Sequence, residues 1–264
     1  MRSRTTTVVC FVSGELFGVS AVGGAERQIR LLARSLSESG SYVIRAVARQ
    51  MPATHPVSAS PYAHIVWYET AHRQRVAWLS AIERAIEKAD ADVYYQRGLA
   101  IHTVAASRVA RRSNRGFVWA ASNDKDALGA IAYFTTILAE RQRLGSRRPS
   151  LRMVASAILD TAVHCMASYS LSQADVILVQ NTAQRVGLAK RLRRTQDRMV
   201  ICPQAVEEVQ ASTDPKSPTV LWVGGNKGAK RPELFIEIAG LGPRSLEYVM
   251  LGKAMTHSVW ASAR

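Results

Sequence analysis

The strongest constraint on this chain is an alternation between short, almost wholly apolar runs and longer amphipathic segments. Val176-Ile177-Leu178-Val179 has no polar face to turn to water, so a strand built from it must be covered on both sides. Thr7 to Val12 reads as a first strand, rich in β-branched residues. In the next segment Ala25, Ile29, Leu32 and Leu36 recur at spacings of four, three and four, which puts them on one helical face. Gly40 closes that helix, because glycine takes the left-handed terminal conformation without cost. The same logic predicts strands at Tyr42–Val47, Ile65–Tyr68, Asp92–Gln96, Phe117–Ala120, Val176–Val179 and Met199–Ile201. Helices are expected around Leu79–Ala89, His102–Ala110, Ala127–Glu140, Val154–Gln173 and Thr182–Leu192, with Leu144–Pro149 a basic loop. Strands alternating with helices call for a parallel sheet with helices on its faces, an α/β architecture.

The pattern breaks at a polar stretch holding Pro203, Pro215 and Pro218, and then restarts. The expected organisation is one domain over residues 1–203, a linker over 204–218 and a second unit over 219–264. That second unit shows a strand at Thr219–Val223, a glycine-rich turn, a helix from Pro232 to Ala239 and a strand at Leu246–Met250. Two strands and one helix do not enclose a doubly wound core, so the unit is expected to be incomplete.

Charge narrows the partners. Lys and Arg number 35 against 20 Asp and Glu, a net +15 that favours anionic partners without choosing among them. The arginines come as short pairs, such as Arg111-Arg112, Arg147-Arg148 and Arg193-Arg194, spread over many elements. That distribution fits solvated helix faces, with an anionic membrane surface as the specific alternative, and gives no reason to expect specific nucleic-acid reading. Cys10, Cys165 and Cys202 have no disulfide or zinc spacing, and Cys10 and Cys202 sit in apolar runs where a buried thiol is expected. The apolar run Val8–Val12 is too short for a signal-peptide core, and no stretch nears the roughly 18 apolar residues of a spanning helix. A cytoplasmic protein is the expectation, with peripheral attachment to the inner face of the membrane left open.

Several segments carry a resemblance. Val220-Leu221-Trp222-Val223-Gly224-Gly225 through Lys230-Arg231-Pro232-Glu233-Leu234-Phe235 resembles the opening of the donor domain in family 4 glycosyltransferases. Gly23-Gly24-Ala25-Glu26 is similar to their glycine-rich first loop, and Ala174-Asp175-Val176 through Gln180-Asn181 to a segment near the end of their first domain. Asp92–Gly98 and Asn123–Asp126 echo a subgroup of the same family. The resemblance covers the chain to about Gly252. It implies two Rossmann-like domains of the GT-B type, the second binding a nucleoside diphosphate sugar and the first holding a glycan or lipid-linked acceptor. It further implies transfer with retention of configuration, commonly without a divalent metal and with no cofactor beyond the donor.

The candidate site residues each have two readings. Gly23 and Gly24 precede a helix, where backbone N–H groups approach an anion, or they only make a tight turn. Lys230 follows a glycine-containing loop at a strand's carboxyl end, where ligands collect in parallel sheets. There it would neutralise charge on the departing diphosphate, as the resemblance implies, or be a solvated charge at a helix start. Gly225 departs from the arginine common at its position, which weakens the donor clamp, and Lys227 is the nearest substitute. Asn123 and Asp124 follow a strand and precede a helix, as N-caps or as groups facing the ligand, with Asp124 the candidate catalytic partner of Lys230. Arg97, after the strand ending at Gln96, is a candidate acceptor or anion contact. His164, among apolar residues, is expected to be packed. The pair of donor-domain glutamates that the resemblance implies finds no match here. The chain is therefore expected to be a C-terminally truncated relative, inactive by itself. The alternative is a non-catalytic protein that binds a glycan acceptor, an anionic membrane surface or a protein partner.

Overall fold

The computed structural model describes residues 6–14, 16, 24–50, 61–69, 75–145, 150–193, 196–205, 218–224 and 231–251. The chain divides into two compact units, Met1–Tyr133 with Leu159–Val206 and Phe134–Ile158 with Glu207–Arg264.

Among the described residues the first unit has seven strands: β1 (Thr7–Ser13), β2 (Tyr42–Arg49), β3 (His64–Tyr68), β4 (Val93–Arg97), β5 (Gly116–Ala120), β6 (Val176–Val179) and β7 (Met199–Ile201). Every neighbouring pair is parallel, in the order β3-β2-β1-β4-β5-β6-β7. Parallel neighbours need crossovers, supplied among others by α1 (Gly24–Glu38), α2 (Arg75–Ala89), α3 (Ile101–Ser113) and α6 (Thr182–Leu192). α1 covers one face through Ile29 and Ala33, against Phe11, Ile44, Ala46 and Tyr95. α2, α3 and α6 cover the other through Ile82, Ile86, Ala106, Val109 and Leu188, against Val12, Tyr94, Trp119 and Ile177. The predicted doubly covered parallel sheet is therefore the observed one, and Gly40 closes α1 with φ +68°.

Aspartates at two strand starts fix the register. Asp92 accepts the Val8 N–H at 2.9 Å and the Arg115 guanidinium at 2.7 Å, while its own N–H donates to Val8 O. Asp175 repeats the arrangement, accepting the Phe117 N–H at 2.8 Å and donating to Phe117 O. Both occur in an Ala-Asp-Val sequence, so the same three residues stitch β4 to β1 and β6 to β5.

Local departures from the sequence pattern have physical causes. The helix expected over Ala127–Glu140 is instead a 3-10 turn at Asp124–Ala127, then α4 at Ala130–Gly145. Leu128, extended at φ −74° and ψ 143°, separates them, and Asp126 turns its carboxylate back to Ser122 and Asn123 rather than along a continuing helix. α4 runs to Gly145, into the expected basic loop, and α5 spans Leu151–Ser170. Cys10 is fully buried, which pushes its thiol up to about 12, but Cys202 is exposed, like Val200 and Ile201 before it, because β7 is the edge strand of the sheet. The burial expected for Cys202 is thus corrected: its run is apolar, and its N–H still donates to Val179 O, but it lies on the open edge of the sheet.

In the second unit β8 (Thr219–Val223) pairs in parallel with β9 (Glu247–Leu251), joined by α7 (Pro232–Leu241). Phe235 lies between Trp222 and Tyr248, at ring-centroid distances of 6.4 and 6.2 Å. Leu221, Val223 and Leu251 stay exposed, because among the described residues β8 and β9 pair only with each other.

Trp119 is the largest fully buried side chain, and its indole N–H donates to Gly98 O at 3.0 Å. Trp119→Ala should destabilise the first unit by about 3–5 kcal/mol, measured as a lower midpoint in urea denaturation.

Candidate functional site

In the first unit the strand order reverses between β1 and β4, since β2 and β3 lie to one side and β5 to β7 to the other. At such a point neighbouring crossovers diverge and a crevice opens at the carboxyl ends of the strands. Ser13 and Gly14 end β1 there, and Arg97 and Gly98 end β4. Gly98 adopts φ +78°, and a Cβ on it would stand 2.9 Å from the Ser122 hydroxyl, so only glycine fits this turn comfortably. Its carbonyl accepts from Trp119, and the Thr103 hydroxyl lies 3.0 Å from it and 2.7 Å from Gln96 Oε1. Thr103 also accepts the Ala100 N–H at 3.1 Å, which caps the start of α3.

The first turn of α3 brings His102 to the carboxyl ends of β1 and β3. Its Nε2 is hydrogen-bonded to the Tyr68 hydroxyl at the end of β3. Gly14 presses its backbone against this pair: a Cβ there would meet His102 Cε1 at 2.9 Å and the Tyr68 hydroxyl at 3.2 Å. Burial first, and the Arg49 guanidinium second, hold the imidazole down to about 4, so it is neutral at physiological pH. The positive end of α3 acts in the same direction. A neutral histidine in the first turn of α3, the tyrosine hydroxyl that ends β3 and the arginine that ends β2 can exchange hydrogen bonds with a hydroxyl-rich ligand without meeting it with an imidazolium.

The sequence-predicted residues are distributed around this centre. Gly24 opens α1 with nothing within 4 Å of a would-be Cβ. Gly23, Gly225, Lys227 and Lys230 lie outside the described residues. Asn123 caps the 3-10 turn after β5, accepting the Lys125 N–H at 2.9 Å and donating to the Ser122 hydroxyl. Asp124 is exposed and accepts from the Gln184 side chain at 2.9 Å. The buried carboxylate of this loop is Asp126, which accepts from Ser122 N and Oγ, Asn123 N and Leu99 N and so ties the β5 loop to the β4 loop. Asn181 caps α6 by accepting the Gln184 N–H at 2.8 Å.

Arg97 goes to the other face of the sheet. Side chains alternate along β4, so Arg97 follows Tyr95 toward α1 while Tyr94 and Gln96 face α3. There it lines a groove of about 170 Å³ with Gln28, Leu32, Ala120, Leu178 and Cys202, its Nε buried without a partner. It lies beside Tyr95, whose phenol burial raises and Arg97 lowers. The structure thus groups Asn123, Asp124 and Asp126 in one loop and separates Arg97 from His102.

His164 is packed, as its apolar neighbours predict: it stacks on Tyr133 at 3.9 Å and meets Leu128 O at 2.9 Å. Burial is the main cause that lowers its pKa. Among the described residues no three His, Cys, Asp or Glu side chains gather as metal ligands. Sequence reasoning missed His102 and Tyr68. The available signal was a histidine in the first turn of the helix after the switch-point strand; its partner 34 residues away left no local trace.

No protein-family model matches the sequence, and no curated protein matches it. Solved structures do match in fold. The chain is similar to a calicheamicin glycosyltransferase, with 19% identity over 97% of this chain and 67% of that one and a TM-score of 0.52. It is similar to a lipopolysaccharide outer core galactosyltransferase at 11% identity, over 96% of this chain and 62% of that one, with a TM-score of 0.52. A UDP-GlcNAc 2-epimerase from Neisseria meningitidis, solved bound to UDP-GlcNAc, matches at 9% identity over 97% and 67% of the two chains, with a TM-score of 0.54. The chain spans about two-thirds of the length of these proteins or less. The fold is therefore a Rossmann-like parallel-sheet domain with a smaller second parallel sheet, an incomplete architecture of the GT-B kind.

The His102 environment predicts a pH signature. Between pH 6.5 and about 4 the unfolded imidazole takes up a proton that the folded one refuses, so stability falls as pH drops through that window. His102→Gln should flatten that part of the stability–pH curve, and NMR titration should place the wild-type His102 midpoint near 4. Gly14→Ala should displace the imidazole from Tyr68 and raise that midpoint.

Proposed function

We propose that the chain carries the acceptor-side domain and the start of the donor domain of a nucleotide-sugar glycosyltransferase, of the retaining, family 4 type. The observation that carries this is the switch point of the first unit, where His102 of α3 and Tyr68 at the end of β3 form a hydrogen-bonded pair against Gly14, within a fold shared with sugar-nucleotide enzymes. An acceptor hydroxyl entering the crevice would meet a neutral imidazole rather than a cation. The motif around Lys230 supports a donor diphosphate at the second unit, with Lys230 stabilising the leaving group. Gly23 and Gly24 at the start of α1, and Asn123 and Asp124 after β5, are the further ligand contacts on this reading. No divalent metal is required, because the charge on the diphosphate would be met by lysine and by backbone N–H groups.

Among the described residues β8 and β9 form a sheet of two strands, with Leu221, Val223 and Leu251 open to solvent. A closed, dry donor site needs more than this, so these 264 residues are proposed to bind an acceptor without transferring sugar. The fold is also that of 2-epimerases, and the reaction product separates the two chemistries.

The purified chain, given UDP-sugars and a panel of saccharides, is expected to bind a saccharide by calorimetry and to leave the UDP-sugar unconsumed. His102→Ala should weaken that binding roughly tenfold, as loss of a buried hydrogen-bond partner does. Transfer that disappears in Lys230→Ala would overturn the inactive reading while keeping the family. A C2-epimerised product would replace transfer with epimerisation.

A further inference from the structure

We infer that the outward face of α5 is a lipid-docking surface that seats on a bilayer carrying anionic headgroups. The exposed positions of this 20-residue helix are Leu151, Arg152, Ala155, Ile158, Leu159, Ala162, Cys165, Met166 and Tyr169. After Arg152, no residue on that face is charged, although this is the side a soluble helix normally makes polar. The stripe runs about 27 Å along the helix, with Leu151 90%, Ile158 57% and Tyr169 77% exposed. The opposite side is occupied: Ala157, His164 and Ala167 are buried, and Ser170 O accepts from Ser107. No helix among the described residues is long and apolar enough to cross a membrane, so α5 would lie along a bilayer with one face only.

Charge selects lipid over a second copy of the chain. Two molecules at net +15 repel each other, whereas each is drawn to an anionic surface. Arg152 stands at the amino-terminal end of the stripe, and the sequence leading to it from Arg141 holds four more arginines and no acid. Apolar residues beside concentrated cations are the pattern of a helix held at an anionic interface. Tyr169, at the other end, pairs a ring for the acyl boundary with a hydroxyl for the headgroups. This inference does not depend on the sugar-transfer reading.

The test is co-sedimentation of the full chain with vesicles of phosphatidylcholine alone or with about one-third phosphatidylglycerol. Binding is expected only to the anionic vesicles, weakened by salt, and reduced roughly tenfold or more in Ile158→Gln/Leu159→Gln with its circular dichroism unchanged. Should that pair disturb folding, Met166→Gln/Tyr169→Ser gives the same readout. So does an environment-sensitive dye on Cys165 in a Cys202→Ser background, whose emission should shift to the blue on anionic vesicles. Absence of sedimentation with anionic vesicles would overturn the proposal. So would equal binding by folded variants, which would make charge alone sufficient, or a dimer in light scattering that the same substitutions dissolve.

Discussion

A parallel sheet covered on both faces holds together only if every strand end is satisfied and every crossover finds room, and the rest of the first unit follows from that demand. Water cannot reach the backbone of β1 or β4, so their hydrogen bonds must close on neighbouring strands. Crossovers that leave β1 to one side and β4 to the other then open a crevice between them. The crevice is a product of topology before it is a product of chemistry. What the sequence adds is the choice of groups to stand there.

Those groups are governed by burial as much as by identity. His102 is an ordinary imidazole made neutral by its surroundings, and the backbone of Gly14 packs against it because no side chain intervenes. One residue of offset decides the fate of a neighbour on β4. Gln96 joins the network under α3, while Arg97 is delivered to the groove beside α1. Asp126 works differently: its four hydrogen bonds hold the loops after β4 and β5 to each other, so the exposed groups of the β5 loop, Asn123 and Asp124, stand on a fixed base.

The architecture was legible because buried strands advertise themselves. Val176–Val179 and Thr7–Val12 could belong only to a doubly covered sheet, and both are strands. Boundaries were less legible where side chains competed with the backbone, as Asp126 does at the break before α4. Cys202 was misjudged because an apolar neighbourhood in sequence says nothing about whether the sheet continues past it. The His102–Tyr68 pair was invisible for a related reason: contact between residues 34 positions apart is a property of the fold. Lys230, the residue on which the resemblance places most weight, lies outside the described residues.

The aspartate of the first Ala-Asp-Val stitch meets the N–H of Val8, 84 residues earlier in the chain. On a ribosome adding roughly 5–20 residues per second, the opening strand must therefore wait several seconds for the partner that completes its inner side. Until then it has β2 to lean on but an unfilled edge facing the nascent chain. Vectorial synthesis thus builds one flank of the sheet first, closes the middle when β4 arrives, and adds β5, β6 and β7 outward from there.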